Sequence, residues 1–91
     1  MNRSELIQSI ADKNDLSRRQ AETVVSTMLD CILDALKREE RVEVRGFGSF
    51  TTRNYAPYIG RNPKTGEAVS VAAKRLPFFR VGKNLELKLN D

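Results

Sequence analysis

Residues 56–73 restrict the possible folds of this chain more than any other segment. They include few large apolar side chains and contain Pro57 and Pro63, so the segment has little surface to bury and does not suit a central strand. Val69 and Val71 alternate with small residues near its end, which is the period of a β-strand. The pattern predicts a two-stranded ribbon that projects from the body of the protein.

The centre of this segment reads Gly60-Arg-Asn-Pro-Lys-Thr-Gly66. It combines two glycines, two cations, one amide and one rigid apolar ring, and none of these groups performs covalent chemistry. Such a set suits a turn that is pressed against a polyanion, with Arg61 and Lys64 for phosphates and Pro63 as a hard apolar tip.

Basic side chains are concentrated in the same half of the chain. Residues 45–85 carry eight basic side chains and one acidic side chain, whereas residues 1–44 carry seven basic and nine acidic ones. A strongly basic segment beside a near-neutral one is typical of a nucleic-acid-binding face on a scaffold. The alternative is a solvated basic surface that keeps the protein soluble. Solubility alone, however, does not require a segment of this length with so few acidic residues.

The first 40 residues have the period of helices. Asn2 with Glu5, and Ser17 with Gln20, have the spacing of helix N-caps with their capping-box partners. From the second cap onwards, apolar residues recur every three or four positions, at Ala21, Val24, Val25, Met28, Leu29, Ile32, Leu33 and Leu36. This spacing predicts an amphipathic helix over roughly residues 18–38, and the two segments together predict a helical hairpin.

After the second helix, the spacing of apolar residues changes to every second position, which is the period of a strand. Residues 42–45 alternate between apolar and charged, the Gly-Phe-Gly of 46–48 suits a tight turn, and the next strand is predicted at about 48–55. Residues 76–81 form a third body strand, in which Pro77 indicates an edge position or a strand start. At the C-terminus, Leu85, Leu87 and Leu89 alternate as in a strand, yet the first and last also share a helix face, so both interpretations stay open.

Several functional classes fit the composition poorly. The chain has no histidine, no nucleophile beside a base and no cluster of metal ligands, so we predict neither an enzyme nor a bound metal or cofactor. No apolar run is long enough for a membrane span or a signal peptide. The single cysteine, Cys31, suits a reducing cytoplasm and is predicted to pack in the core.

The size of the core indicates a dimer. Without the ribbon, roughly 70 residues remain, which is marginal for a stable single core. The second helix is also apolar over more than one narrow seam. We therefore expect a symmetric dimer rather than a monomer.

Three stretches together resemble the bacterial HU and integration host factor family. They are Val42-Glu-Val-Arg-Gly-Phe-Gly-Ser-Phe50, Gly60-Arg-Asn-Pro-Lys-Thr-Gly66 and Pro77-Phe-Phe-Arg-Val-Gly-Lys83. The resemblance covers essentially the whole chain, and the spacing between the first two motifs is highly specific.

The resemblance implies an α+β fold in an intertwined dimer. It consists of an N-terminal helical hairpin, a three-stranded antiparallel sheet with a long projecting β-ribbon arm, and a short C-terminal helix. Residues 1–91 are then one DNA-binding domain, with a helical dimerisation half at 1–40, a sheet at 41–82 that bears an arm at about 54–74, and the helix at 83–91.

By position, the resemblance also implies functional roles. Pro63 is the wedge that partly unstacks a base step in the minor groove. The other DNA-binding candidates are Arg45, Arg53, Tyr55, Tyr58, Arg61, Asn62, Lys64, Lys74, Arg75, Arg80 and Lys83. The expected dimer core contains Met28, Ile32, Leu36, Phe47, Phe50 and Phe79.

The chain departs from the family pattern at Tyr55 and Tyr58, positions that are usually basic. Tyrosine can stack on a sugar or hydrogen-bond to a phosphate, but it releases no counterion on binding. The alternative is that the two rings stiffen the ribbon by cross-strand packing. Both interpretations stay open here.

The expected function is an architectural protein that grips the minor groove of double-stranded DNA and bends it, as HU does in compacting the bacterial nucleoid in the cytoplasm. Ala72-Ala73-Lys74 resembles HU. The alternative is a site-specific bender of the integration host factor type, one subunit of a heterodimer, because Glu43, Arg45 and Ala56-Pro57 resemble its β subunit. If Glu43 orients Arg45 on one strand, the arginine could read base edges or groove width. The alternative for this pair is a surface ion pair that contributes well under about 1 kcal/mol. A third alternative, on composition alone, is a small basic RNA-binding protein.

Overall fold

The computed structural model describes residues 1–91 as three helices and five antiparallel strands, in agreement with the expected α+β fold. In chain order they are α1 (Arg3–Lys13), α2 (Arg18–Lys37), β1 (Val42–Val44), β2 (Gly48–Tyr55), β3 (Tyr58–Arg61), β4 (Ala68–Val71), β5 (Lys74–Val81) and α3 (Lys83–Leu89). The chain divides into two compact units, Met1–Ala35 and Leu36–Asp91. None of the helices has the length and apolar character that a membrane crossing requires.

Side chains cap both N-terminal helices, as the sequence predicts. The Asn2 side chain accepts a hydrogen bond from the Glu5 backbone N–H at 2.9 Å. Ser17 Oγ accepts from the Gln20 N–H at 3.1 Å, while Gln20 Oε1 accepts from the Ser17 N–H at 2.9 Å. This reciprocal pair is a capping box, and it satisfies N–H groups that the first turn of a helix leaves without backbone partners.

The helical unit is held together by a small apolar cluster. Ile7 and Ala11 of α1 pack with Ala21 and Val25 of α2, and all four are buried. The prediction that Cys31 packs in the core is wrong for the single chain, where this residue is exposed. At about 100° per residue, Cys31 lies beside the stripe that Ala21 and Val25 define rather than on it.

The body sheet has the strand order β1-β2-β5. Residues Gly48 to Tyr55 pair in antiparallel register with Val81 to Lys74, and β5 is an edge strand, as Pro77 indicates. Because side chains alternate between the two faces of a strand, the register assigns each residue to a face. One face is apolar and carries Val42, Val44, Phe50, Phe79 and Val81.

An aromatic cluster marks the apolar face. The Phe79 ring centroid lies 4.9 Å from that of Phe50 and 5.6 Å from that of Phe47, with tilted rings in both pairs. Tilted contacts at these separations are favourable because the positive edge of one ring approaches the negative face of the other.

The projecting ribbon is a separate two-stranded sheet of β3 and β4. Tyr58 pairs with Val71 and Arg61 pairs with Ala68. The ribbon is separated from the body sheet by two interruptions at the same level, residues 56–57 between β2 and β3 and residues 72–73 between β4 and β5. At the first interruption, Pro57 has no N–H for the ladder. The ribbon therefore covers residues 58–71, and Tyr55 and Lys74 still belong to the body sheet.

The C-terminal segment is a helix, which resolves its ambiguous leucine pattern as the resemblance implies. The N–H of Gly82 donates to the Phe47 carbonyl at 2.8 Å, so the start of α3 is anchored to the turn between β1 and β2. A helix follows directly from this anchor at Lys83.

Gly48 allows the close contact between β2 and β5, so we predict that Gly48→Ala destabilises the fold. A Cβ at this position would lie 2.6 Å from the Arg80 carbonyl oxygen and also against the Phe79 ring. Overpacking of this kind costs about 1–3 kcal/mol, and thermal unfolding would show it as a lower Tm. In Gly60→Ala, the matched control, the new Cβ has no neighbour closer than 3.5 Å. An equal decrease in Tm in both variants would contradict the assignment of this close contact to Gly48.

Candidate nucleic-acid interface

Backbone hydrogen bonds close the tip of the ribbon. The N–H of Asn62 donates to the Glu67 carbonyl at 2.9 Å, and the N–H of Gly66 donates to the Asn62 carbonyl at 2.7 Å. Gly66 has a φ of 75°, in the region that glycine adopts without strain. Pro63 lies within this closed turn and is exposed, with its own φ fixed by the ring.

Asn62 shapes the turn with its side chain. Its Oδ1 accepts a hydrogen bond from the Lys64 N–H at 2.9 Å, which is the geometry of an Asx turn. Sequence analysis assigned Asn62 only to DNA and missed this structural role, although an Asn-Pro pair between two strands is a known turn signal. The Nδ2 group of the amide forms no hydrogen bond within the chain.

Arg61 lies beside the tip and spans the end of the hairpin. Its Nη1 donates to the Gly66 carbonyl at 3.1 Å. The guanidinium is therefore held at the Gly66 carbonyl, at the end of the hairpin, with most of its N–H groups free. The tip thus presents an apolar ring between two cations, neither of which forms an ion pair.

The ribbon has two different faces. By strand alternation, Tyr58 and Gly60 share a face with Val69 and Val71, while Arg61 shares the other with Ile59, Ala68 and Ser70. A Cβ built on Gly60 would lie 3.5 Å from the Tyr58 ring and 3.8 Å from a Val71 methyl group. Tyr58 and Val71 are directly opposite each other on this face and both border Gly60, an arrangement that suits cross-strand packing by Tyr58.

The second face of the body sheet is basic. The register places Arg53, Lys74 and Arg80 there, and Tyr55 lies opposite Lys74 on the same face. None of the three cations forms an ion pair. Lysine and arginine side chains with no internal carboxylate partner are available to neutralise phosphates.

The structure does not bring Arg75 to this basic face. Arg75 lies on the opposite face, where its Nη1 donates to the Lys37 carbonyl at 3.3 Å and contacts a Glu39 carboxylate oxygen at 3.5 Å. A cation at the last carbonyls of a helix is a favourable arrangement. The contacts of Arg75 are thus those of a cap for α2, and the basic face lacks it.

The expected orientation of Arg45 by Glu43 is not observed. Strand β1 ends at Val44, and the chain turns at Gly46, whose φ is 85°. The two residues therefore do not continue one strand alternation. The Glu43 carboxylate instead lies 3.8 Å from Arg41.

Arg41 and Arg45, the arginines on either side of Glu43, have different surroundings. Arg41 also donates to the buried Ser49 Oγ at 3.2 Å, which links the residue before β1 to β2. Arg45 is exposed and forms no hydrogen bond or ion pair within the chain. Lys83, the remaining basic candidate, is the first residue of α3 and is also exposed.

The residues expected in the dimer core are incompletely covered in the single chain. Met28, Phe47 and Phe79 are exposed by 51%, 46% and 39%, and Ile32, Leu36 and Phe50 are half-buried. The buried apolar residues are few and mostly small: Ile7, Ala11, Ala21, Val25 and Ala35. A chain of this size leaves a substantial apolar surface for a partner.

No cluster of three or more histidine, cysteine, aspartate or glutamate side chains is arranged to hold a metal ion. The features that the structure does assemble are a cationic, proline-tipped ribbon and a basic sheet face. Both arrangements suit a phosphate backbone rather than a small-molecule substrate.

Comparisons with known proteins agree with this geometry over the whole chain. The family described as bacterial DNA-binding protein matches residues 1–90. Integration host factor subunit beta of Methylococcus capsulatus is 46% identical over 92 residues, which cover 100% of this chain and 97% of that protein. Anabaena HU, in a cocrystal structure with DNA, has a TM-score of 0.87 and 37% identity, with 98% of this chain and 97% of that chain covered. HU from Thermotoga maritima has a TM-score of 0.69 and 28% identity, with 98% of each chain covered. The chain belongs to the bacterial DNA-binding protein family that includes HU and integration host factor.

Proposed function

We propose that this architectural DNA-binding protein bends double-stranded DNA by gripping the minor groove with two arms and inserting Pro63 between base pairs. The observation that carries the proposal is the closed tip, in which an exposed proline stands between Arg61 and Lys64. A proline ring suits a wedge because its φ is already fixed and its side chain loses no rotamer entropy on insertion.

Free cations can offset the cost of bending. Bending a site of 20–30 base pairs costs about 1–6 kcal/mol, and unstacking adds a few kcal/mol per step. Seven basic candidates per chain lack an ion pair, namely Arg45, Arg53, Arg61, Lys64, Lys74, Arg80 and Lys83. If a dimer neutralises about eight phosphates, log affinity against log salt has a slope of about −7.

The two arms require a dimer, and the proposed assembly is a homodimer. The aromatic cluster of Phe47, Phe50 and Phe79 and, separately, the exposed apolar side chains of α2 supply apolar surface for a partner. A second copy of the chain offers the same apolar side chains, which is the requirement of a two-fold interface. A related subunit could supply a similar patch in a heterodimer.

Two levels of DNA selectivity are consistent with the fold. The geometry favours HU-like binding with little sequence preference, because Glu43 pairs with Arg41 and does not orient Arg45. The proposed place of action is the bacterial nucleoid in the cytoplasm. The second candidate is a site-specific bender of the integration host factor type. It is supported by the similarity to a β subunit and by the exposed, unpaired Arg45.

A small basic RNA-binding protein is the alternative from a different class. Tyr55 on the basic face could stack an unpaired base. The proline-tipped ribbon fits a duplex groove better, so we expect tighter binding to nicked or bent duplex DNA than to single-stranded RNA of the same length. The reverse order of affinities would contradict the proposed function.

Pro63→Ala should reduce the bend angle while most of the non-specific affinity remains. The phosphate contacts are unchanged, and the lost wedge contact is partly offset by the few kcal/mol of unstacking that is no longer required. We therefore expect an affinity loss below about tenfold. Fluorescence energy transfer between dyes at the two ends of a duplex measures the angle. Pro57→Ala is the control away from the tip, and an unchanged angle in Pro63→Ala would exclude the wedge role.

Arg45→Ala tests sequence selectivity. Binding to a pool of random duplexes at physiological salt, followed by sequencing, shows whether the unmodified chain enriches a motif. If Arg45 reads bases, its replacement should abolish the enrichment and cost about 1–3 kcal/mol of discrimination. Lys83→Ala, a predicted phosphate contact, should weaken binding equally on all sequences. Without a motif, tight binding with a steep salt dependence would identify an HU-like protein.

Lys74→Ala and Arg75→Ala form a matched pair of neighbouring cations on opposite faces of β5. Each phosphate contact contributes about 0.9 to the salt slope, so Lys74→Ala should reduce the slope of a dimer by about 1.8. Arg75→Ala should leave the slope unchanged, since its partners are Lys37 and Glu39. Titrations at several salt concentrations measure both, and equal reductions would place Arg75 on the DNA.

A further inference from the structure

Arg53 and Phe78 form a stacked pair on the basic face of the body sheet. The guanidinium carbon of Arg53 lies 3.6 Å from the centre of the Phe78 ring. The register sets Thr51 opposite Phe78 and Leu76 opposite Arg53, so the pair is a diagonal one between β2 and β5. A side chain as long as arginine can span such a diagonal.

Phe78 is not part of the apolar face. It points to the side that carries Arg53, Lys74 and Arg80, whereas Phe50 and Phe79 share the opposite face. The residue is 36% exposed. A phenylalanine among cations, away from the aromatic cluster, therefore has a different environment from the residues that form the apolar core.

The stack gives Arg53 a preferred position before any ligand arrives. The guanidinium forms no hydrogen bond or ion pair, so all five N–H groups remain available. A guanidinium stacks well on an aromatic face because it is planar and weakly hydrated. Lys74 and Arg80, on the same face, have no ring contact. Arg53 is thus the one cation of this face that is held in place.

We infer that Phe78 is a positioning residue that holds the Arg53 guanidinium ready to bind a DNA phosphate at the body sheet. The inference rests on the proposed function and adds a residue that the sequence did not single out. Ordering a long side chain on binding lowers affinity, and a side chain that is already ordered loses less. The stack therefore raises the contribution of Arg53 without contacting the DNA itself.

A double-mutant cycle tests the inference, and the probe is a single DNA duplex of arbitrary sequence that is used for all variants. Phe78→Leu keeps an apolar side chain and removes the ring. We expect it to weaken binding by about two- to tenfold for each Arg53 that contacts DNA. In an Arg53→Gln background the same change should have no further effect, whereas with Arg80→Gln the two losses should multiply. Phe78→Tyr, which keeps the ring, should retain the affinity of the unmodified protein.

Two outcomes would overturn the inference. One is a Phe78→Leu loss that is equal with and without Arg53, which would mean a direct DNA contact or a general structural role. The other is unchanged affinity in Phe78→Leu. Absence of DNA binding by the unmodified protein would instead contradict the proposed function, so the two failures are distinct.

A measurement without DNA checks the stack itself. The δ-methylene protons of Arg53 should show upfield ring-current shifts in proton NMR that persist in Phe78→Tyr and disappear in Phe78→Leu. Thermal unfolding of each variant shows whether it is folded. If Phe78→Leu does not fold, ordinary random-coil shifts for Arg53 in the unmodified protein would be sufficient to reject the inference.

Discussion

The pairing of β2 with β5 is the constraint on which the rest of this structure depends. Eight residues of each strand are in register, from Gly48 opposite Val81 to Tyr55 opposite Lys74. Because the side-chain period is two, a slip of one residue would exchange the two faces of either strand. This single register separates an apolar face, which suits a partner subunit, from a basic face, which suits DNA. It also brings the two connections to the ribbon to the same level.

The ribbon has little burial, so its geometry depends on local interactions. Its tip is closed by backbone hydrogen bonds of Asn62 and Gly66 and by the Asn62 side chain. Along its length, β3 and β4 are held by their antiparallel pairing, in which Tyr58 lies opposite Val71. Hydrogen bonds of this kind join residues that are close in sequence and form without a hydrophobic core. A binding element can thus project from the body and still present a defined proline.

Much of the fold could be predicted from the sequence because its signals are local. Caps, helical spacing and an edge proline each act within a few residues, and all were found where expected. Predictions that extended a local pattern across a turn or around a helix were less successful. Arg45 lies beyond the end of its strand, and Cys31 lies beside the apolar stripe. Each of these depends on where an element ends or which way it is rotated, and neighbouring residues alone do not specify that.

The sequence by itself determined the identity of the elements before the C-terminal segment, the projecting ribbon and the chemistry of its tip, because periodicity, proline and glycine act on the adjacent backbone. Only the tertiary structure decided which charges are free. Arg41 and Arg75 have carboxylate partners, whereas Arg53 and Arg45 do not. It also decided that Phe78 lies under Arg53 rather than with the other phenylalanines. The physical reason is that ion pairs and stacking join residues distant in sequence, and strand register sets their distances.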